Sequence, residues 1–374
     1  MTMDDLNTSK HVILFILHLP PPVHGAAMMG KYIKDSKRIN EAFDSHFINL
    51  ATATGLEDIG KVGLAKAVRY IKLLRHVRNE VKRLRPSLVY VTPNASGFAF
   101  YKDYVLVLML KHMGCRVVCH YHNKGVASRQ DCRLDDWLYR HFFRGVKVIL
   151  LAEALYSDVE KYVSRDDVII VPNGIPDVAN LSAKRHYNEV PQLLFLSNLI
   201  ESKGVIDLLD ACKILKERGC KFVCNFVGGE TSEINAERFV SEVAIRGISD
   251  FAIYKGRKYG EAKVKELVSS NCLVFPTHYP KECFPLVLLE AMQCGLSCIS
   301  TAEAGIPDII EDGKTGLIVP ANNPEALADA IEKVLSDNAM CKAMGKQGRR
   351  HYEHHFTLNK FEENLTAAIN RVVE

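Results

Sequence analysis

The strongest constraint on the fold is an alternation of strand-like and helical segments that runs along the chain and is interrupted once. Short apolar runs typical of strands lie at residues 12–17, 88–91, 117–121, 146–151, 168–171, 193–196 and 222–227. Helical patterns lie between them at residues 26–34, 64–84, 101–112, 135–143 and 205–218. Repeated strand–helix units predict parallel sheets with helices on both faces. The predicted fold class is therefore α/β.

The interruption lies between about residues 175 and 189, where proline, asparagine, serine and charged residues replace the apolar runs. Such a composition is typical of a linker. A chain of 374 residues is also too long for one ordinary hydrophobic core. We therefore predict an N-terminal α/β domain over residues 1–180, a C-terminal α/β domain over residues 190–350, and a helical tail over residues 351–374.

The segment richest in functional signals contains two glutamates eight positions apart, Glu282 and Glu290. Pro285 fits the first turn of a helix, and Gly295 fits its C-terminal cap. Residues 284–292 are apolar except at Glu290, which predicts a buried helix whose carboxylate needs a partner. Free N–H groups at a helix start favour phosphate. The alternative is a surface helix with two solvated glutamates.

This pattern resembles the E-x7-E signature of retaining glycosyltransferases with the GT-B fold, and nearly the whole chain resembles glycosyltransferase family 4. The C-terminal half carries further segments typical of that family in the same order: residues 202–204, 227–229, 273–276, 304–307 and 312–319. The resemblance implies two Rossmann-like domains whose parallel sheets face each other across a cleft. It also implies that the tail helix crosses back to the N-terminal domain.

The resemblance implies a hexosyltransferase-type enzyme that moves a sugar from a nucleotide-diphosphate sugar, linked to UDP or GDP, to a glycan or lipid-linked acceptor. Bacterial cell-surface polysaccharide synthesis is the expected setting. We expect no cofactor beyond the donor and no metal. Two alternatives remain open: a non-catalytic glycosyltransferase-like subunit that binds a partner or glycan, and a sugar-nucleotide epimerase of similar fold.

In the C-terminal domain, the resemblance assigns the donor site. Lys203 is expected to neutralise the pyrophosphate as a point charge, and Asn198 occupies the place where family members usually have an arginine. Glu290 is expected to hold the ribose hydroxyls and Glu282 to lie beside the donor sugar. The remaining donor-binding residues are expected to be Lys258, near the base, and the helix start at Phe284, Pro285 and Leu286.

In the N-terminal domain, which the resemblance implies is the acceptor side, the candidates are Gly25, His120 and His122. Gly25, in the loop after the first strand, permits close approach of the backbone to a ligand. His120 and His122 point to the same face of a strand end, and His122 is the better match to the family's sugar-contacting histidine. A metal bound by the two histidines is the less favoured alternative, because no carboxylate lies at a suitable spacing.

The N-terminal half is basic, with 25 Lys and Arg against 18 Asp and Glu over residues 1–180. Residues 61–85 hold nine of these cations and one acid on a helical pattern. An ordinary amphipathic helix is one reading, and a helix that also touches anionic lipid is the other. Nucleic acid is discounted because Tyr70 is the only tyrosine, phenylalanine or tryptophan within residues 61–85.

Targeting signals and cysteine usage bear on location. No signal peptide or membrane-spanning run is visible, and the eleven cysteines contain no C-x-x-C pair, which favours reduced thiols. We expect a cytoplasmic protein, with peripheral association at the inner face of the membrane through residues 61–85 as the sharper hypothesis.

Overall fold

The computed structural model describes residues 10–21, 25–50, 64–178, 181 and 189–374, except the side chains of residues 64–66. These residues form two compact units. Unit 1 takes its residues from Met1–Leu151, Leu155–Val171 and Phe361–Glu374, and unit 2 from Ala152–Ala154 and Pro172–Lys360. The predicted linker falls largely outside the described residues.

Unit 1 is built on one parallel sheet. Its elements are β1 (Val12–Leu17), α1 (Gly25–Asp35), α2 (Lys37–Ala42), β2 (Asp44–Asn49), α3 (Leu64–Leu84), β3 (Leu88–Val91), α4 (Gly97–His112), β4 (Val117–His120), α5 (Arg133–Phe143), β5 (Lys147–Leu150) and β6 (Val168–Ile170). The strand order is β2-β1-β3-β4-β5-β6. The sequence analysis missed α2 and β2, because β2 carries Asp44, Ser45 and His46 and lacks an apolar run.

Unit 2 repeats this plan. Its elements are β7 (Gln192–Leu196), α6 (Val205–Glu217), β8 (Val223–Val227), α7 (Ala236–Ile245), β9 (Ala252–Tyr254), α8 (Gly260–Val268), β10 (Cys272–Phe275), α9 (Leu286–Gln293), β11 (Ser297–Thr301), α10 (Ile306–Ile309), β12 (Gly316–Val319), α11 (Pro324–Ser336) and α12 (Asn338–His355). The strand order is β12-β11-β10-β7-β8-β9, again all parallel. The α/β fold class with two parallel sheets is therefore confirmed.

Chain order reverses once within each sheet, and these reversals locate the candidate sites. In unit 2, β8 and β9 are added in turn on one side of β7, whereas β10, β11 and β12 are added in turn on its other side. The strands β7 and β10 are therefore neighbours. In unit 1 the equivalent neighbours are β1 and β3. Open parallel sheets bind ligands at the carboxyl ends of such strands. The loops after β7 and β10 are therefore where a ligand of unit 2 is expected to bind.

The tail is not one helix from residue 351, as the sequence analysis expected. The helix α12 ends at His355, and α13 (Leu358–Val373) begins after a two-residue break. The break forms because Ile175 pairs with this segment: its N–H donates to the carbonyl of Phe356, and its carbonyl accepts from Leu358. From Phe361 onward the tail is part of unit 1, where Arg116 donates to the carbonyls of Val372 and Val373.

Candidate functional site

The loops that follow β7 and β10 are joined at the carboxyl edge of the unit 2 sheet. The N–H of His278 donates to the carbonyl of Ser202 at 2.8 Å, which links the two loops directly. Gly204 follows with φ of 86°, and a Cβ there would lie 2.4 Å from the carbonyl oxygen of Pro276. Only glycine fits this contact, so the backbone fixes where the neighbouring Lys203 stands.

A buried ion pair joins Lys203 to Glu282. Nζ of Lys203 lies 2.6 Å from Oε2 of Glu282, and the two side chains are 15% and 9% exposed. The ammonium also lies 4.3 Å from the ring centroid of Tyr279, and Thr277 donates to the same carboxylate oxygen at 3.4 Å. The structure thus brings together two residues that the sequence analysis assigned to different parts of one ligand.

The helix α9 starts beside this pair. It begins at Leu286, with Pro285 as the N-cap residue rather than inside the first turn as predicted, and no side chain caps it. The neighbouring Phe284 is buried and packs edge-on against Phe356, with ring centroids 5.7 Å apart. The N–H of Leu288 donates to the carbonyl of Pro285 at 3.2 Å, so the N–H groups of Leu286 and Val287 are the ones left for a ligand or water among the described residues.

The far end of α9 closes as predicted. Gly295 adopts φ of 72°, its N–H donates to the carbonyl of Met292, and the N–H of Leu296 donates to the carbonyl of Ala291. This is the Schellman arrangement of a helix C-terminus. Leu288, Leu289, Ala291, Met292 and Gln293 are buried. The helix is thus buried as expected, and the alternative of a solvated surface helix is excluded for the described residues.

Glu290 lies in the second turn of α9 and is paired, as a partly buried carboxylate should be. Its Oε1 accepts from Nζ of Lys263 on α8 at 2.6 Å, and its side chain is 22% exposed. The other oxygen, Oε2, is buried and makes no hydrogen bond within the part of the chain that the structure describes.

Another acid of this region, Glu266 on α8, pairs with two further lysines. The carboxylate of Glu266 accepts from Lys255 at 2.9 Å and from Lys258 at 2.5 Å. Burial alone would raise the pKa of this carboxyl, but the hydrogen bonds from Lys258 and Lys255 outweigh burial, and the net shift of the pKa is downward. The Glu266 carboxyl therefore stays ionised, and Lys258 is held at the loop after β9.

Asn198 supports the neighbouring loop. Its side-chain oxygen accepts from the N–H of Gly229 at 3.2 Å, and the carbonyl of Gly229 accepts from Leu199 at 2.8 Å. Asn198 itself is exposed. Asn198 thus ties together the loops that follow β7 and β8.

In unit 1, the strand end of β4 carries two histidine rings that contact each other. The His120 ring is fully buried, its Nδ1 is hydrogen-bonded to the Tyr90 hydroxyl, and its ring centroid lies 4.3 Å from that of His122. Burial, and then the neighbouring His122, hold the pKa of His120 well below its usual value, so this ring is neutral at pH 7. The contact confirms that the two histidines share a face.

The loop that follows His122 is held rigidly by hydrogen bonds. Asp158 accepts from the N–H groups of Gly125, Val126 and Ala127 at 2.9 to 3.1 Å. Asn123 accepts from the N–H of Ala95 at 2.7 Å. His122 is half-buried at the start of this fixed loop.

Two other positions singled out in the N-terminal half fall partly within the described residues. Gly25 is the first residue of α1 and is exposed, with open space where a Cβ would stand. Along α3, the side chains of Arg69, Lys72 and Arg75 are exposed, while Val77 is buried. The side chain of Lys66 and all of residues 61–63 lie outside the described residues.

Unit 2 therefore gathers, at the carboxyl edge of one sheet, four lysines that are each paired with a carboxylate. The sequence analysis found Lys203, Lys258, Glu282 and Glu290 but missed Lys263, Lys255 and Glu266. The only available signal for these was the basic and acidic pattern of α8, which predicts pairing within that helix. Among the described residues, no group of three or more His, Cys, Asp or Glu is arranged to hold a metal, and no helix is long and apolar enough to cross a membrane.

The chain resembles known proteins in sequence, most clearly in its C-terminal half. Residues 179–351 match the family described as glycosyl transferases group 1. The chain is 31% identical to N-acetyl-alpha-D-glucosaminyl L-malate synthase from Bacillus anthracis over 169 residues, which cover 45% of this chain and 42% of that relative. It is 27% identical to O-antigen chain mannosyltransferase C from Escherichia coli over 253 residues, which cover 65% of each.

The fold has close counterparts among solved structures. The Anabaena protein HepE, solved in complex with UDP, matches 96% of this chain and 100% of its own, with a TM-score of 0.74 at 14% identity. Together these matches confirm the predicted resemblance at the level of group 1 glycosyltransferases with a GT-B fold, while the narrower family 4 stays a prediction. The chain spans between 42% and 65% of the length of the two curated relatives named above.

Proposed function

Because residues 179–351 match the glycosyl transferases group 1 family, we propose that this protein is a retaining glycosyltransferase. Its donor is a sugar linked to UDP or GDP, and its acceptor is a glycan or lipid-linked glycan of a bacterial cell-surface polysaccharide. Relatives named for O-antigen and capsular polysaccharide synthesis support the acceptor class.

The observation that carries the proposal is the buried pair of Lys203 and Glu282 at the start of α9. A lysine at 15% exposure beside uncapped helix N–H groups is a site prepared for an anion. In this structure, the carboxylate of Glu282 offsets the charge of Lys203. A diphosphate would take over that role, because both phosphates can accept from Nζ and from the first N–H groups of α9.

The chemistry follows from where charge develops. The bond between the anomeric carbon and the phosphate oxygen breaks, and its electron pair leaves with the nucleoside diphosphate. Lys203 and the α9 start stabilise that charge without reorganising, which makes a metal unnecessary in this proposal. The acceptor oxygen bonds to the anomeric carbon on the same face, and its proton passes to the leaving phosphate oxygen, so that configuration is retained.

The other candidate residues take the roles that the family resemblance assigns. Glu290 accepts hydrogen bonds from the ribose hydroxyls, and Lys258 lies with its loop near the base. Glu282 lies beside the donor sugar, and the diphosphate replaces it as the anionic partner of Lys203 when the donor binds. His122 and Gly25 of unit 1 contact the donor sugar and phosphate. Asn198 acts by holding the backbone of Gly229 at the donor site.

We also propose that the protein works at the inner face of a membrane. The exposed cations of α3, among them Arg69, Lys72 and Arg75, would meet anionic headgroups. This position would bring a lipid-linked acceptor to the enzyme.

A panel of UDP- and GDP-linked sugars, screened by thermal shift, tests the donor class, since a ligand that binds only the native state raises the melting temperature. One donor should raise it and should be hydrolysed slowly without acceptor, releasing nucleoside diphosphate and a sugar with the donor's anomeric configuration. Glu282→Gln should abolish release while Lys281→Gln, its exposed neighbour, should not. Failure of every donor to shift the melting temperature or to be hydrolysed would contradict the proposal.

A further inference from the structure

The carboxylate of Glu290 is held in an asymmetric way that the proposed role in ribose binding does not explain. Oε1 accepts one hydrogen bond, from Lys263 at 2.6 Å, and Oε2 is buried without a partner among the described residues. A carboxylate oxygen can accept two hydrogen bonds. Oε1 therefore keeps room for one further donor, while Oε2 turns away from solvent at an energetic cost.

By its spacing along the chain, Lys263 could have paired with a glutamate of its own helix. Glu266 lies three positions further along α8, at a spacing where a lysine and a glutamate commonly pair. Glu266 instead accepts from Lys255 and Lys258, and Lys263 reaches out of α8 to α9. The fold thus dedicates one lysine, itself 29% exposed, to the carboxylate of Glu290.

We propose that Lys263 is a positioning residue for nucleotide recognition: it fixes the carboxylate of Glu290 so that Oε1 receives a ribose hydroxyl of the donor. This inference rests on the proposed function, which places ribose at Glu290. Lys263 touches the carboxylate and not the sugar. Lys263 therefore determines how strongly the site prefers a ribonucleotide over its 2′,3′-dideoxy analogue. It contributes little to binding of the rest of the nucleotide.

The test compares affinities for UDP and 2′,3′-dideoxy-UDP, and for GDP and its dideoxy analogue, by calorimetry. The nucleotide that the protein binds more tightly defines the pair. The parent should prefer the ribonucleotide about tenfold or more, as expected for hydrogen bonds to a charged group. In Lys263→Met the preference should fall to about threefold or less, and Lys263→Arg should restore part of it.

Two controls separate positioning from general charge. Lys265 is an exposed lysine on the same helix, so Lys265→Met makes the same charge change without touching Glu290 and should keep the parent's preference. In Glu290→Gln the preference should be lost, and adding Lys263→Met should cause no further loss, because both changes remove one interaction. If Lys263→Met does not fold, Lys263→Gln replaces it.

The outcomes distinguish this inference from the proposed function. In one outcome, Glu290→Gln loses the preference for ribose, but Lys263→Met keeps it or weakens the affinity for both nucleotides of the pair equally. The positioning role of Lys263 is then wrong, and the proposed donor site stands. If Glu290→Gln keeps the parent's preference, or if the parent binds neither nucleotide, both the assignment of Glu290 to ribose and the inference drawn from it are overturned.

Discussion

The two units share one architecture but build the carboxyl ends of their sheets from different chemistry. Each has six parallel strands and one reversal of strand order. In unit 2 the side chains at this edge are charged and paired across elements, as in Lys203 with Glu282 and Lys263 with Glu290. In unit 1 the strand end of β4 carries the neutral His120, whose ring lies 4.3 Å from the ring of His122.

The difference determines which kind of ligand each edge can bind. Removing one partner of a buried ion pair is costly because it leaves the other charge uncompensated, but an anionic ligand can replace the carboxylate and keep the charge of the lysine compensated. The carboxylates of unit 2 thus hold lysines ready for an anion. In unit 1, the buried His120 ring is neutral and offers no charge to exchange, and the carboxylate of Asp158 is already occupied by three backbone N–H groups. Unit 1 therefore suits an uncharged group such as a sugar.

The largest effect is expected from removing the central cation of unit 2. Lys203→Met should weaken UDP or GDP binding by about 1.5–3 kcal/mol, or roughly 10- to 150-fold, because a hydrogen bond between charged groups is lost. Binding of the free nucleoside should hardly change. Calorimetry with both ligands measures the contrast.

The exposed Lys281 in the same loop provides the matched control, and Lys281→Met should leave both affinities unchanged. Because Lys203→Met leaves the Glu282 carboxylate buried without its cationic partner, the double variant with Glu282→Gln shows whether a loss of stability contributes. Equal losses of affinity for the nucleoside and the nucleoside diphosphate would mean that Lys203 does not bind the phosphates, and the proposed contrast between the two edges would be wrong.

A second effect concerns the neutral edge and pH. The pKa of His120 is depressed chiefly by burial, so the unfolded chain takes up this proton at about pH 6.5 while the folded chain does not. Stability should therefore fall as pH drops below about 6.5, by up to about 1.4 kcal/mol per pH unit for this group. Half-buried His351 of unit 2, whose pKa burial also lowers, acts with the same sign.

Urea unfolding at several values between pH 7 and pH 5 measures this slope. His120→Gln keeps a hydrogen-bonding group near Tyr90 but cannot take up the proton. The variant should show a flatter dependence, by close to one proton. An identical slope in parent and variant would mean that His120 is not held neutral, and that unit 1 carries a charge at its edge after all.

A smaller effect is expected at the residue that represents unit 1 in the proposed reaction. His122→Ala should lower turnover by about tenfold at most, in line with the roughly 0.5–1.5 kcal/mol of an uncharged hydrogen bond. The affinity for nucleoside diphosphate should stay near that of the parent. Steady-state rates with the identified donor, together with calorimetry, show the split, and an unchanged rate would shift the role to His120 or remove it.

The smallest effect belongs to the surface of unit 1. Lys72→Gln should weaken binding to vesicles that contain anionic lipid by about 1 kcal/mol, near fivefold, and salt should weaken it further. Lys265→Gln, an exposed lysine of unit 2, is the control and should change nothing. Co-sedimentation at low and high salt measures both. Indifference of the parent to anionic lipid at low salt would leave α3 as a packing helix.

The sequence predicted what depends on local pattern. The alternation of strands and helices, the end of α9 at Gly295 and the burial of its apolar face follow from periodicity and capping. The pairing of charges did not follow, because the partners are distant: Lys203 and Glu282 are 79 positions apart, and Lys263 and Glu290 are 27 apart.

Local rules even pointed the wrong way at α8. Lys263 and Glu266 have the spacing of an intrahelical pair, but each finds its partner on another element. The tail was misjudged for a similar reason, since its break after His355 depends on hydrogen bonds with the distant Ile175. Family resemblance supplied roles for Glu282 and Glu290, but only the fold shows which lysines hold them.

The most direct test of the central claim is a crystal structure of the protein with UDP or GDP, whichever it binds. We predict that Nζ of Lys203 lies within hydrogen-bond distance of a phosphate oxygen, that the diphosphate faces the start of α9, and that Glu290 accepts from the ribose. A nucleotide bound away from β7 and β10, or a Lys203 that keeps Glu282 as its only anionic partner, would contradict the account.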